Sequence, residues 1–374
     1  MLRLIGRFVG VAVVALIGYL TLWPIPIDPV VWAAPTAPGY TGPHAKNTKL
    51  AGLTTIALGD EEGPEHIAMG PDGKLYAAVA SGAILRMNPD GSARETFVNT
   101  GGRVLGFDFD AQGRLIAADA YLGLLAITPD KLQEVLAETV GPDPIRYADA
   151  VAVANTGKIY FTDASRRFGP KQSGGTFNAS VLDIIEHSAT GRVLEYDPVT
   201  KAIRTVLSDL CFANGIALSA DEQSLFVNET GEYRVWKVAI GASNVNAKVA
   251  AKGNMAEAKV LLANLPGYPD NLMRGLNGRI WLGFAKPRGA ALDDMAGKPF
   301  LRRVTMRLPK ALWPVPPAYG HVIAFDEMGK IVADLQDPTG AYPETTGVTE
   351  TADTLYIQSL HAKVLGYMKK PAGL

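Results

Sequence analysis

One strand unit recurs six times along this chain, and a chain built from a repeated antiparallel unit has few ways to close. The units read DGKLYAAV (72–79), QGRLIAADA (112–120), TGKIYFTDA (156–164), EQSLFVNET (222–230), NGRIWLGFA (277–285) and DTLYIQSL (353–360). Most put a polar or Gly turn ahead of a run rich in β-branched and aromatic residues. Their aligned apolar positions are Leu75, Leu115, Ile159, Leu225, Ile280 and Leu355, at spacings of 40, 44, 66, 55 and 75 by subtraction. A companion strand adjoins each unit, as in GRVLEYDP and GHVIAFDEMG, and D-G or N-G turns between strands read as hairpins. A repeat of ~40 residues is one four-stranded propeller blade, and the longer spacings leave room for insertions. Six units predict an all-β fold, a six-bladed β-propeller. A β-sandwich does not usually repeat its sequence in this way. Region 353–367 should pack beside the blade begun by 52–87, or complete it, because a closed ring leaves no open sheet edge.

Four segments place oxygen-bearing side chains beside strand ends: GPEH (Glu65), YADA (Asp149), FANG (Asn214) and GYPDN (Asp270, Asn271). Each alone also fits an ordinary turn or surface loop, Asn214 before Gly215 most plainly. Side chains from such distant strand ends meet only if the strands are arranged radially. A propeller therefore predicts one axial site, and a set of hard oxygen ligands predicts one Ca²⁺. In that site Asp270 would activate water or attack directly. His361, after the last strand unit, and His66, beside Glu65, are the candidate proton carriers. The sequence has no G-x-S-x-G, H-E-x-x-H or paired C-x-x-C motif, so serine and zinc hydrolysis lack their usual support.

Residues 8–27 carry no charge, and Arg3 and Arg7 precede them. Twenty such residues can cross a hydrocarbon layer ~30 Å thick. Residues 1–34 are expected as an uncleaved, single-pass anchor with a cytoplasmic N-terminus and an extracytoplasmic propeller. Residues 35–50 are expected as a Pro/Gly-rich tether, and 51–374 as the propeller, with insertions at 166–190 and 286–319. The second insertion contains FLRRVTMRLPKAL, near-helical in its spacing and interrupted by Pro309. A lid, a membrane-facing helix or a packing insertion against the propeller rim would each fit there. The net charge of −1, with no basic stripe, argues against a nucleic-acid partner. Cys211, the single cysteine, excludes an intrachain disulfide and reads as a packed thiol.

Several stretches resemble the strictosidine synthase-like proteins: WPIPIDPVVW, RVLGFDFDAQGRLIAADAYLGLL, YFTDASRRF, GRVLEYDP, FANGIALSADEQSLFVNET, LPGYPDN and SLHAKVLG. The similarity runs from about residue 23 to 367 and includes the membrane-anchored adipocyte plasma membrane-associated type. The wider group includes paraoxonases and gluconolactonase-type lactonohydrolases. The resemblance implies a six-bladed propeller and, for the hydrolytic members, an axial Ca²⁺. Glu65, Asn214, Asp270 and Asn271 match calcium ligands of the paraoxonase type, and Asp149 stands where that pattern usually has Asn. The catalytic Glu of plant strictosidine synthase falls at Thr346, and the catalytic His of paraoxonases near Leu105. The acids of the paraoxonase structural calcium fall at His66 and Ala150. The expectation is a membrane-anchored, Ca²⁺-dependent hydrolase of lactones or aryl esters, its partners being that small substrate and the membrane. The alternatives are a condensing enzyme of strictosidine synthase type and a non-catalytic binding propeller.

Overall fold

The computed structural model describes residues 2–253 and 255–374. Six antiparallel sheets surround one axis, and the six units read from the sequence are the second strands of the six blades. The innermost strands are His66–Met69, Val104–Phe109, Ala148–Val153, Ala213–Leu218, Gly267–Arg274 and Thr345–Glu350. Blade three carries a short fifth, parallel strand, Val245–Asn246. Ring closure pairs the two ends of the propeller chain. Thr54–Ala57 is the outermost strand of blade six and pairs antiparallel with Val364–Lys369, Thr54 opposite Tyr367. The last three strands are thus completed by the first, which leaves both termini of the propeller tied into one sheet.

Strands that are apolar on both faces fill the space between neighbouring blades. Phe226, Trp236, Trp281 and Phe325, for example, are fully buried. The inner strands also need small residues where blades approach. A Cβ on Gly215 would lie 2.2 Å from the backbone nitrogen of Leu272, and one on Gly283 would lie 2.2 Å from the carbonyl carbon of Thr346. Gly215 in FANG is therefore an inter-blade contact, not a left-handed turn residue.

Both insertions follow the second strand of a blade, blade three (Ile159–Asp163) and blade five (Ile280–Pro287). Strand direction alternates within a blade, so these loops lie at the same end as the starts of the innermost strands. The first insertion forms the helices Pro170–Ser173 and Thr176–Glu186. The second forms Ala290–Asp294 and Pro299–Arg307, the latter ending before Pro309, as the missing donor and ring of proline require.

The N-terminal helix is Leu2–Leu22. Its Leu4–Leu22 stretch has a mean hydropathy of 2.0 and is unburied, which meets the length and composition needed to cross a membrane. The segment after it corrects the expected tether. The Val30 amide donates to the Glu186 carbonyl and the Trp32 amide to that of Ala296, and Trp32 stacks on His187 at 4.0 Å between ring centroids. Further along, the Arg288 guanidinium donates to the Pro35 carbonyl and Asn264 to that of Thr36. His44 and Asn47 bond to Asp334. Residues 24–50 are therefore docked along the insertions and blade five, because their backbone groups find protein partners where a free linker would have only water.

Candidate functional site

The innermost strands share a device at the insertion end. Pairing with the second strand slips by a bulge between Ala148 and Val151, Ala213 and Ile216, Pro269 and Leu272, and Thr345 and Val348. A bulge bends a strand and re-aims one side chain out of the alternating pattern. Asp149, Asn214 and Asp270 sit in three of these bulges. The strand entries are fixed by acids at the ends of the second strands. Asp119 Oδ1 accepts the Arg103 amide, Asp163 Oδ1 the Tyr147 amide, and Glu229 Oε1 the Cys211 amide. The Asp270 turn is held from blade four: Asn228 donates to the Asp270 carbonyl and Thr230 to that of Pro269.

These strand ends form the floor of a cavity of about 600 Å³. Glu65, Asp149, Asn214 and Asp270 all line it and are all buried. Asn214 Nδ2 donates to Asp270 Oδ1 at 2.9 Å. Asn271 is not among the lining residues, which corrects its expected place in a ligand set. Its amide donates to the Glu65 carbonyl at 2.9 Å and to Gln358 Oε1, so it braces Glu65 from behind. Thr346 donates to the same carbonyl at 2.8 Å. His66 is also displaced from its expected role. It is buried against Phe107 with both ring nitrogens unpartnered, and burial depresses its pKa to about 4, so it is a neutral packing residue.

The sequence reading missed Arg103, which enters the floor just before blade two. Its Nη2 donates to Glu65 Oε2 at 2.5 Å, and its Nη1 is buried without a partner. Burial raises the pKa of Glu65 against the opposing pull of Arg103. Burial pushes Asp149 and Asp270 well above the ordinary carboxylate range, and the charge of Glu65 adds to the push. Three carboxylates against one guanidinium leave a formal charge of −2 when all are ionised. The cluster must bind either protons or a cation, because bare like charges in a buried site are costly.

The donors suit a hard divalent ion. They are oxygens, the floor with Arg103 included carries a formal charge of −2 when its carboxylates are ionised, and Asn214 Oδ1 is a buried acceptor with no partner. The three carboxylates are nonetheless splayed. Among the described residues the one trio of acidic, His or Cys ligand atoms lying mutually within 4.8 Å is His44, His321 and Asp334, outside this cavity. Glu65 is drawn to Arg103 and Asp270 to Asn214, which holds the axial acids apart. In the His44 trio, Asp334 Oδ2 lies 2.8 Å from His44 Nδ1 and 3.0 Å from His321 Nε2. Its Oδ1 accepts from Asn47 and Gln336. Those hydrogen bonds clamp the 44–50 segment to blade five.

A second polar group stands higher on the wall. Glu344 Oε1 pairs with Lys286 Nζ at 2.6 Å, and its Oε2 with His361 Nδ1. All three residues line the cavity. Glu344 takes φ of 51°, a left-handed conformation that non-glycine residues seldom adopt. Burial would raise the Glu344 pKa, but the bonds from His361 and Lys286 lower it, and the Glu344 bond raises that of His361. The ring of Phe177 from the first insertion lies T-shaped to that of His361, 5.8 Å between centroids. Glu344 lies in YPETTG, two residues before Thr346, with no pattern in the sequence to mark it. The roof is apolar, with Val181, Ile184, Leu292, Trp313 and Val315 from the two insertions.

Such a structure, a six-bladed propeller with a buried acidic axial cavity under an apolar roof, defines the class. Matches to "Strictosidine synthase-like, N-terminal" at residues 42–87 and to "Strictosidine synthase" at 149–243 narrow it. The chain is 35% identical over 342 residues to Protein Strictosidine synthase-like 6 of Arabidopsis thaliana, covering 86% of this chain and 84% of that protein. It is 30% identical to the adipocyte plasma membrane-associated protein of Danio rerio, covering 91% and 83%. The chain belongs to the strictosidine synthase-like family. Among solved structures, a gluconolactonase from Xanthomonas campestris superposes with a TM-score of 0.61 at 19% identity, covering 94% of this chain and 100% of that one. The calcium-binding protein regucalcin from Agrobacterium tumefaciens gives 0.56 at 12% identity, covering 84% and 93%. These two show the shared fold.

Proposed function

We propose that this chain is a membrane-anchored hydrolase of lactones or aryl esters that uses one axial Ca²⁺. The observation that carries the reading is the buried floor of three carboxylates against one guanidinium, with an unpartnered Asn214 Oδ1. Glu65, Asp149, Asn214 and Asp270 would hold the ion. When bound, it would supply a Lewis acid for the carbonyl oxygen of the substrate. The unpartnered Nη1 of Arg103 would donate to the oxyanion that forms as the carbonyl carbon is attacked. Asp270 would accept a proton from the attacking water, and the ester or lactone C–O bond would then break. His361, oriented by Glu344, would carry a proton to or from the leaving oxygen. The apolar roof would exclude bulk water. The names of the gluconolactonase and regucalcin neighbours are consistent with this chemistry, and the adipocyte plasma membrane-associated relatives with the anchor. We place the N-terminus in the cytoplasm and the propeller on the other side, from Arg3 and Arg7.

The test is turnover of an aryl-ester and lactone panel by metal-stripped and Ca²⁺-replete protein, beside Asp270→Asn. Cleavage that needs Ca²⁺ and is lost in the variant supports the reading; turnover indifferent to both sinks it. Glu344 favours one second reading. A carboxylate does enter the cavity near Thr346, so a base for amine–aldehyde condensation is present, and product analysis with an amine and an aldehyde decides between the two.

A further inference from the structure

The joint between the N-terminal helix and the cavity roof is polar and specific. Arg307, the last residue of Pro299–Arg307, donates from Nε to the Trp23 carbonyl at 2.6 Å and from Nη1 to that of Leu20 at 3.1 Å. The Tyr19 hydroxyl donates to the Arg307 carbonyl at 2.9 Å. The last carbonyls of a helix have no partner within it. Here the roof helix provides one, so the two helices are fastened end to end. On the same roof helix Arg302 is buried, and its guanidinium collects the Val30, Ile185 and Ala296 carbonyls. The chain leaving the N-terminal helix is thereby locked between the two insertions.

This joint fixes where the cavity faces. Thr305, two residues before Arg307, and Lys310, three after it, both line the cavity. If Leu4–Leu22 spans a bilayer, Trp23 stands at its boundary, and the roof lies within a turn or two of the same level. The outer side of the roof suits that level. Phe300, Leu301, Leu312 and Val315 are exposed there, and Phe177 is exposed on the first insertion. Of the cations in 295–316, Lys298 and Lys310 are exposed and the half-buried Arg303 pairs with Asp28, while Arg302 and Arg307 are buried in the joint; the stretch holds no acid. Exposed apolar side chains among cations are what a helix lying at an anionic lipid surface presents.

We infer that the cavity opens onto the lipid leaflet and takes amphipathic substrates, esters or lactones with an acyl chain, from the membrane. The inference rests on the proposed reading that Leu4–Leu22 remains in the bilayer. It explains why Phe177 and Val315 line the cavity and are also exposed: they form a greasy passage from the lipid surface to the polar floor.

The experiment uses full-length protein in phosphatidylcholine–phosphatidylglycerol vesicles. Cysteines are introduced singly as Phe300→Cys, Val315→Cys and Met328→Cys, Met328 lying in the loop after the third strand of blade five, at the opposite end. Cys211 is wholly buried, so an environment-sensitive label goes to the new thiol. Labels at 300 and 315 should be quenched by brominated acyl chains and shielded from aqueous iodide, and the label at 328 should behave in the opposite way. Adding γ-dodecalactone should shift the label at 315 saturably and γ-butyrolactone should not, affinity rising about fourfold per methylene buried. Protein retained in vesicles with labels 300 and 315 open to iodide overturns the inference, as does a label at 315 that answers both lactones alike or neither. Protein released from vesicles by alkaline carbonate instead overturns the anchor reading beneath it. No arm depends on turnover.

Discussion

Replacing Arg103 with Met tests the electrostatics of the floor directly. Met keeps most of the aliphatic bulk and removes the one cation that, among the described residues, is bonded to Glu65. Both partners are nearly out of solvent, with side-chain exposures of 9% and 7%, so no screening discount applies. Leaving one member of a buried pair unpaired costs about 3–5 kcal/mol. Unfolding entropy of ~2.1 cal/mol/K per residue over roughly 320 propeller residues gives ~0.7 kcal/mol/K, so the melting temperature should fall by about 4–7 °C. The sign with pH follows from Glu65. Its pKa is already raised by burial, and losing Arg103 raises it further. A carboxylate whose folded pKa lies above its unfolded value carries no penalty below the unfolded value. The penalty grows as pH rises from there to the folded value. The loss should therefore be near zero at pH 3, where unfolded carboxylates are also protonated, and larger at pH 8. Ca²⁺ should restore more stability to the variant than to the parent, since its floor carries one more negative charge; a hundredfold excess over Kd is worth ~2.7 kcal/mol. The assay is calorimetric melting at both pH values, with chelator and with Ca²⁺. A loss equal at pH 3 and pH 8, or no loss in chelator at pH 8, refutes the charge argument.

Asp270→Asn should lower Ca²⁺ affinity at least tenfold by titration calorimetry while leaving the circular dichroism spectrum unchanged. Glu344→Gln replaces the charged acceptor that raises the His361 pKa with a neutral amide, so the limb of the kcat/KM profile that belongs to His361 should move to lower pH, and His361→Ala should lower kcat by about 10²–10⁴-fold. Deleting residues 2–22 should leave a folded propeller. Extending the deletion to residue 34 should lower the melting temperature further, because Ile27 and the Val30 and Trp32 backbone bonds go with it.

The number of blades was legible in the sequence because a blade is a local object. Hairpin turns and alternating strands are set by neighbours in the chain, and six copies leave a visible period. The oxygen-bearing residues of GPEH, YADA, FANG and GYPDN were legible for the same reason, since each recurs at an equivalent point of its unit. What the sequence left open depends on contacts between blades. The side chain that shares Glu65's cavity is Arg103, 38 positions away, and nothing local marks it. Asn271 and Asp270 are neighbours in GYPDN, yet the bulge between Pro269 and Leu272 sends only one of them into the cavity. Glu344, Lys286 and His361 meet because three strand ends converge at one mouth. The segment after the N-terminal helix looked like a tether by its Pro and Gly content. Composition records how a chain can bend, and only the packed insertions supply the carbonyls and guanidinium groups that hold it in place.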